Sequence, residues 1–218
     1  ARQFGFSLPP MTPVDFRLLL VTDRHQSHGR PLVRVLHDAI KAGVPAIQLR
    51  ERDLSTGDLL SLTQKIQAIT TSGSVSLIVN DRVDLTMALN LDGVHLRSDS
   101  LPPLPVRQLI GPRRLIGVST HSVEDVRRAN QDGADYVVFG PIFETPSKRP
   151  FGAPLGLHLL ADVCRRSSIP VLAIGGITRE RVHDVRRAGA HGVAVIGALL
   201  SRNDIGEAVR EFRHALET

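Results

Sequence analysis

At 218 residues the chain is long enough to bury one large core, and a single domain suffices because α/β barrels commonly reach this size. Apolar residues make up 42% and charged residues 22%, as in ordinary globular proteins, while 4% aromatics and no Trp argue against recognition by stacking on bases. The formal charge of +5 does not by itself point to nucleic acid: much of the excess lies in the pairs Arg127-Arg128, Arg165-Arg166 and Arg186-Arg187, each late in a predicted helix, where it complements the helix dipole and steers anionic substrates only modestly.

Residues 1–14, with Pro9, Pro10 and Pro13, read as an N-terminal arm, and 15–218 as the catalytic domain. The arm lacks an apolar signal core, and no apolar run approaches the roughly 18 residues that span a bilayer, so a cytoplasmic enzyme is expected. Short apolar, β-branched runs then alternate with segments of helical periodicity. Strands are predicted at 16–23, 45–50, 75–80, 93–97, 114–119, 135–140, 170–175 and 192–197. Helices are predicted at 31–43, 57–71, 83–90, 104–110, 122–132, 156–167, 178–188 and 204–217. Continuous runs such as Val171-Leu172-Ala173-Ile174 suit strands covered on both faces, as in a parallel sheet wrapped by helices. Ser122 and Thr178 stand as N-caps, and Gly133 and Gly189 follow helix ends. The lone Cys164 cannot form an internal disulfide, and its position beside Leu159, Leu160 and Val163 makes it a core thiol. Eight strand–helix units equal the count of a (β/α)₈ TIM barrel; an open doubly wound sheet is the alternative.

Barrel enzymes carry their chemistry where strands give way to the following loops. In the second unit a period of two sets Gln48, Arg50 and Arg52 on one side and Ile47 and Leu49 on the other. An inward Arg needs an anion, which makes phosphate a natural ligand; pairing with Asp81 or Glu51 is the structural alternative. The third strand ends in Asn80-Asp81-Arg82, and Asp81 could hold Mg²⁺ or bridge to Arg50 or Arg82. His95 and His121 stand near the rim without an evident carboxylate partner and read as structural or capping groups. The loop Gly140–Arg149 offers Thr145, Ser147 and Lys148 to an oligophosphate. The seventh and eighth strands end in Gly175-Gly176 and Ile196-Gly197, where bare backbone N–H groups close on a phosphate in many barrels; tight turns are the plainer explanation. No zinc spacing and no Walker or dinucleotide glycine pattern is present.

Ordered motifs from Leu18 to about Leu216 resemble the thiamine phosphate synthase and TenI family: VTDRH at 21–25, QLRER at 48–52, VNDR at 79–82, DGVHL at 92–96, IGVSTHS at 116–122, GADYVVFGPIFETPSK at 133–148 and AIGGI at 173–177. The resemblance implies a (β/α)₈ barrel, often a homodimer, that joins a pyrimidine diphosphate to a thiazole phosphate and releases pyrophosphate with Mg²⁺. It implies small phosphorylated substrates and neither nucleic acid nor membrane as partners. On this chain it implies that Gln48, Arg50 and Asn80 surround the pyrimidine and its diphosphate, with Arg52 where many synthases have Lys. Asp81 would hold the metal, and Ser119 would contact the pyrimidine region. Thr145, Ser147 and Lys148 would hold the leaving group, and Gly176, Ile196 and Gly197 the thiazole phosphate. Lys148, Arg50 and Ser119 form the implied catalytic set. A second metal carboxylate found in many synthases is Ser100 here, leaving Asp99, one position away, as its stand-in. Arg52 and Ser100 are also compatible with TenI-like thiazole tautomerases, but Pro141 follows Phe-Gly as in synthases. A phosphate-binding homologue without turnover is the third reading.

Overall fold

A computed structural model describes residues 13–145 and 153–218. Eight parallel strands close into a barrel in chain order: β1 (Leu18–Val21), β2 (Ala46–Leu49), β3 (Ser76–Asn80), β4 (Gly93–Leu96), β5 (Leu115–Thr120), β6 (Tyr136–Phe139), β7 (Val171–Ile174) and β8 (Gly192–Val195), with β8 pairing back onto β1. The doubly wound alternative is thereby removed. The helices of the described residues are α1 (Leu32–Lys41), α2 (Thr56–Gly73), α3 (Val83–Ala88), α4 (Pro103–Ile110), α5 (Val123–Gln131), α6 (Gly156–Arg166), α7 (Val182–Arg187), α8 (Gly197–Leu200) and α9 (Ile205–Glu217).

Alternation along the strands sorts the core into two bodies. Leu18, Leu20, Ile47, Leu49, Leu77, Val79, Val94, Ile116, Val137, Ala173 and Val193 face the helices and build the larger outer core. Leu19, Val21, Ala46, Ile78, Leu115, Tyr136, Val138, Leu172 and Ala194 fill the barrel, with Phe16 among them. Gly117 makes room for that filling: a Cβ there would lie 2.2 Å from the Tyr136 ring and 2.5 Å from His95 Nδ1. Val14 packs against the same inner cluster, while residues 1–12 of the expected arm lie outside the described residues.

Where the predicted elements were long, the structure shortens strands by a residue or two at their ends. Two helical features differ in kind. The predicted helix 178–188 is a 3₁₀ turn (Arg179–Arg181) followed by α7, and the Thr178 side chain makes no capping hydrogen bond to it. The four-residue α8 leaves no sequence signal because one turn is too short to show a period. Ser122 caps α5 as expected, accepting from the Asp125 N–H at 3.1 Å. Cys164 is half-buried against the outer core, and burial pushes its thiol up to about 11.

Candidate active site

The C-terminal mouth of the barrel holds a cavity of about 560 Å³, a size suited to small-molecule ligands. Its floor is the last inward-facing layer of the strands and is divided in two. On β2 to β5 it is polar: Gln48 donates its amide to Asn80 Oδ1 at 3.1 Å, and His95 Nε2 lies 2.9 Å from Ser119 Oγ. From β6 round to β1 it is apolar, formed by Val138, Ile174, Ala194 and Val21. From sequence alone His95 reads as a structural or capping group. In the structure it is buried on the floor, and burial followed by the charge of Arg50 holds its imidazolium form down to about 3, so a neutral ring faces the cavity.

Above the polar half stand Arg50, Arg52 and Arg97. Local bonding explains why Arg50 is left without a counter-charge. Glu51 turns to the opposite side and accepts from the Thr22 hydroxyl (2.7 Å) and from Arg24 Nη1 (3.1 Å), while Thr22 Oγ1 accepts the Arg50 N–H at 2.9 Å. Arg82 is taken by Asp84 at 2.6 Å. Neither Arg50 nor Arg52 makes an ion pair among the described residues, so the structural alternative of an Arg50 pair with Asp81 or Glu51 is not realised. Burial, then repulsion from Arg52, lowers the proton affinity of the Arg50 guanidinium. A cation in that condition is a strong place for an anion.

Above the apolar half the chain presents backbone. Gly175 and Gly176 have φ of +98° and +62°, and a Cβ on Gly176 would sit 2.6 Å from the Glu144 carbonyl oxygen, so only glycine follows this path. Gly197 and Ala198 open α8, and their N–H groups, like those of Gly176 and Ile177, have no acceptor among the described residues. Gly176, Ile196 and Gly197 therefore line one pocket with Gln48, Arg50, Arg52, Asn80 and Ser119. Thr145 also lines it; Ser147 and Lys148 lie outside the described residues.

The two metal candidates both approach the Arg97 guanidinium. Asp81, at φ +60°, accepts the Ser100 hydroxyl on Oδ1 and lies 3.9 Å from Arg97 through Oδ2, at the edge of the mouth and outside the cavity lining. Asp99, 65% exposed, accepts from Arg97 on both carboxylate oxygens. Among the described residues no group of three His, Cys, Asp or Glu side chains is close enough to hold a metal by itself. Asp81 alone suits an ion such as Mg²⁺ that keeps several waters and bridges to substrate phosphate.

Arg97, Gln26, Glu144 and Arg181, for which the sequence analysis gives no role, and His121, which it reads as structural or capping, also face the cavity. Arg97 lies two positions beyond His95, and its parity was the available signal. His121 donates from Nδ1 to the Gly140 carbonyl at 2.6 Å, which fixes the ring at the cavity wall. Gln26 and Arg181 reach the cavity from the short 3₁₀ turns Arg24–Ser27 and Arg179–Arg181, and Glu144 from the loop after β6, where no period announces direction.

Residues 18–199 match a protein family described as thiamine monophosphate synthase. A putative thiamine-phosphate synthase of Geobacter sulfurreducens is 42% identical over 200 residues, covering 92% of this chain and 94% of that protein. A thiamine-phosphate synthase of Roseiflexus castenholzii is 44% identical over 191 residues, 88% of this chain and 84% of that one. Among solved structures, a thiamine phosphate pyrophosphorylase from Pyrococcus furiosus superimposes with a TM-score of 0.83 at 31% identity, covering 92% of this chain and 95% of that chain.

Proposed function

Because the chain belongs to the thiamine monophosphate synthase family, we propose that it joins hydroxymethylpyrimidine diphosphate to a thiazole phosphate, forming thiamine phosphate and releasing pyrophosphate. The observation that carries the reading is the division of one cavity between uncompensated arginines and unpaired backbone amides, which suits two different phosphorylated ligands side by side.

In this reading Gln48, Asn80 and Ser119 hold the pyrimidine over the polar floor, and Arg50 and Arg52 take its diphosphate together with Thr145, Ser147 and Lys148, as the family resemblance implies. Gly176, Ile196 and Gly197 offer N–H groups to the thiazole phosphate. The bond between the pyrimidine methylene carbon and the diphosphate oxygen breaks, and its electron pair leaves with pyrophosphate. The pyrimidine ring spreads the positive charge, and the thiazole nitrogen closes the C–N bond with its lone pair. Catalysis is then stabilisation of charge gathering on the leaving group, together with alignment of the nucleophile; no side chain attacks. Mg²⁺, when bound through Asp81 and the diphosphate, would supply further positive charge there. Asp99, held by Arg97, has no part in that site in this reading.

We also propose a homodimer, as the family resemblance implies, and a cytoplasmic location. Met87, Leu101, Leu104 and Leu109 expose apolar side chains on or beside α3 and α4 and offer a surface for it. Among the described residues no helix is long and apolar enough to cross a membrane.

The test is to incubate the chain with the pyrimidine diphosphate, the thiazole phosphate and Mg²⁺ and to quantify thiamine phosphate and pyrophosphate. Equal amounts of both are expected. Absence of both, with conversion of a thiazole tautomer, would make the chain an isomerase; binding of both substrates without either reaction would make it a carrier of phosphate ligands.

A further inference from the structure

Arg181 lies in the 3₁₀ turn that precedes α7 and has no part in the reading above. Its Nη1 donates to the Gly176 carbonyl at 2.6 Å, and its guanidinium carbon sits 4.5 Å from the centre of the Phe143 ring. The neighbouring peptide is tied as well: the Phe143 N–H donates to the Gly175 carbonyl at 3.0 Å. Two successive carbonyls of the β7 loop are thus held, one by the β6 loop and one by Arg181. In a trans peptide the N–H points opposite to the C=O. Tying the Gly175 carbonyl therefore aims the Gly176 N–H, and tying the Gly176 carbonyl aims the Ile177 N–H. Both N–H groups lack an acceptor among the described residues, and both residues line the cavity. With positive φ at Gly175 and Gly176 this segment has unusual torsional freedom, so something must choose its orientation.

We propose that Arg181 is the positioning residue of this anion pocket: by fixing the Gly176–Ile177 peptide it presents the Ile177 N–H, beside that of Gly176, to the phosphate of the thiazole substrate. The Phe143 contact gives it a second anchor on the β6 loop, so the same side chain joins the two loops that flank the apolar half of the cavity. The assignment rests on the synthase reading, which supplies the identity of the phosphate.

Arg181→Ala, Arg181→Lys and the wild-type chain are titrated calorimetrically with thiazole phosphate and with the phosphate-free thiazole alcohol, and their steady-state constants are measured with each substrate varied. Loss of one charge-assisted hydrogen bond predicts about tenfold weaker binding of thiazole phosphate to Arg181→Ala. Its KM for thiazole phosphate should rise by a similar factor, with the KM for the pyrimidine diphosphate, the melting temperature and the affinity for the alcohol unchanged. Arg181→Lys, which keeps a donor but loses the planar contact with Phe143, should fall between. Equal thiazole phosphate affinity in wild type and Arg181→Ala, or equal losses for phosphate and alcohol, would overturn the role of Arg181 while leaving the synthase reading intact. A wild-type chain that binds neither ligand would overturn both.

Discussion

Arg50 carries a positive charge into a partly buried position and makes no ion pair among the described residues, and burial and the adjacent Arg52 both weaken its hold on its proton. A group arranged in this way opposes folding and serves binding, so its removal should separate the two. Arg50→Met should raise the melting temperature by about 2–4 °C, the shift for roughly 1 kcal/mol in a chain of this size. It should lower turnover by about 100-fold, the usual effect of deleting one stabilising donor from a developing anion. Scanning calorimetry beside the coupling assay decides it; a lower melting temperature would mean that Arg50 has a structural partner. His95 offers a second separation. Its folded form stays neutral down to about 3, whereas the unfolded side chain takes up a proton near its ordinary 6.5. Below about pH 6.5 the unfolded state therefore binds the extra proton, and stability is lost as pH falls, by up to about 1.4 kcal/mol per pH unit. In urea titrations between about pH 7 and about pH 5, His95→Gln should lose stability less steeply than wild type; parallel curves would remove His95 as the cause.

At the scale of the element, what was legible followed strand parity. Gln48 and Arg50 share a face opposite Ile47 and Leu49, and the structure puts the first pair at the mouth and the second in the outer core. The same alternation, applied to Gly93–Leu96 and continued to Arg97, would have brought out His95 and Arg97. It also explains Asp81, which is one position out of phase with Asn80 and ends outside the cavity lining. Parity says nothing about loops and single turns, which is why it does not bring out Gln26, Glu144, Arg181 or α8. The glycines at the ends of β7 and β8 were foreseen together, yet they are under different constraints. Gly176 combines φ of +62° with backbone 2.6 Å from where a Cβ would stand. At Gly197 the nearest obstacle, at 2.5 Å, is the end of the Gln26 side chain, which can swing aside at the expense of its 2.8 Å bond to Asp23. Gly176→Ala should lose about 2 kcal/mol or more in chemical denaturation, and Gly197→Ala less than about 1 kcal/mol. Equal losses would contradict the distinction.

The whole barrel divides its labour between its two ends, with binding groups above the strands and ties that hold the loops below them. At the lower end Asp135, which precedes β6, is almost fully buried and bonded to Arg107 of α4; it also accepts the Ile116 N–H of β5 at 2.6 Å. Arg107 in turn donates to the carbonyls of Gly111 and Arg114 at 3.0 and 2.6 Å. One ion pair therefore joins a helix, two strands and the turn between them. None of these residues lines the cavity. Removing one partner leaves the other charge buried and alone, so Arg107→Ala should destabilise the chain by about 3–5 kcal/mol. Removing both in favour of apolar groups of similar volume takes away the stranded charge, and Arg107→Met with Asp135→Leu should recover most of that loss. The turnover of whatever fraction remains folded should equal that of the wild type in both cases, because the mouth is untouched. Denaturation curves and coupling rates normalised to folded protein test this together. A fall in normalised turnover in the double variant would mean that the lower ties also set the geometry of the mouth, and the separation of the two ends would have to be abandoned.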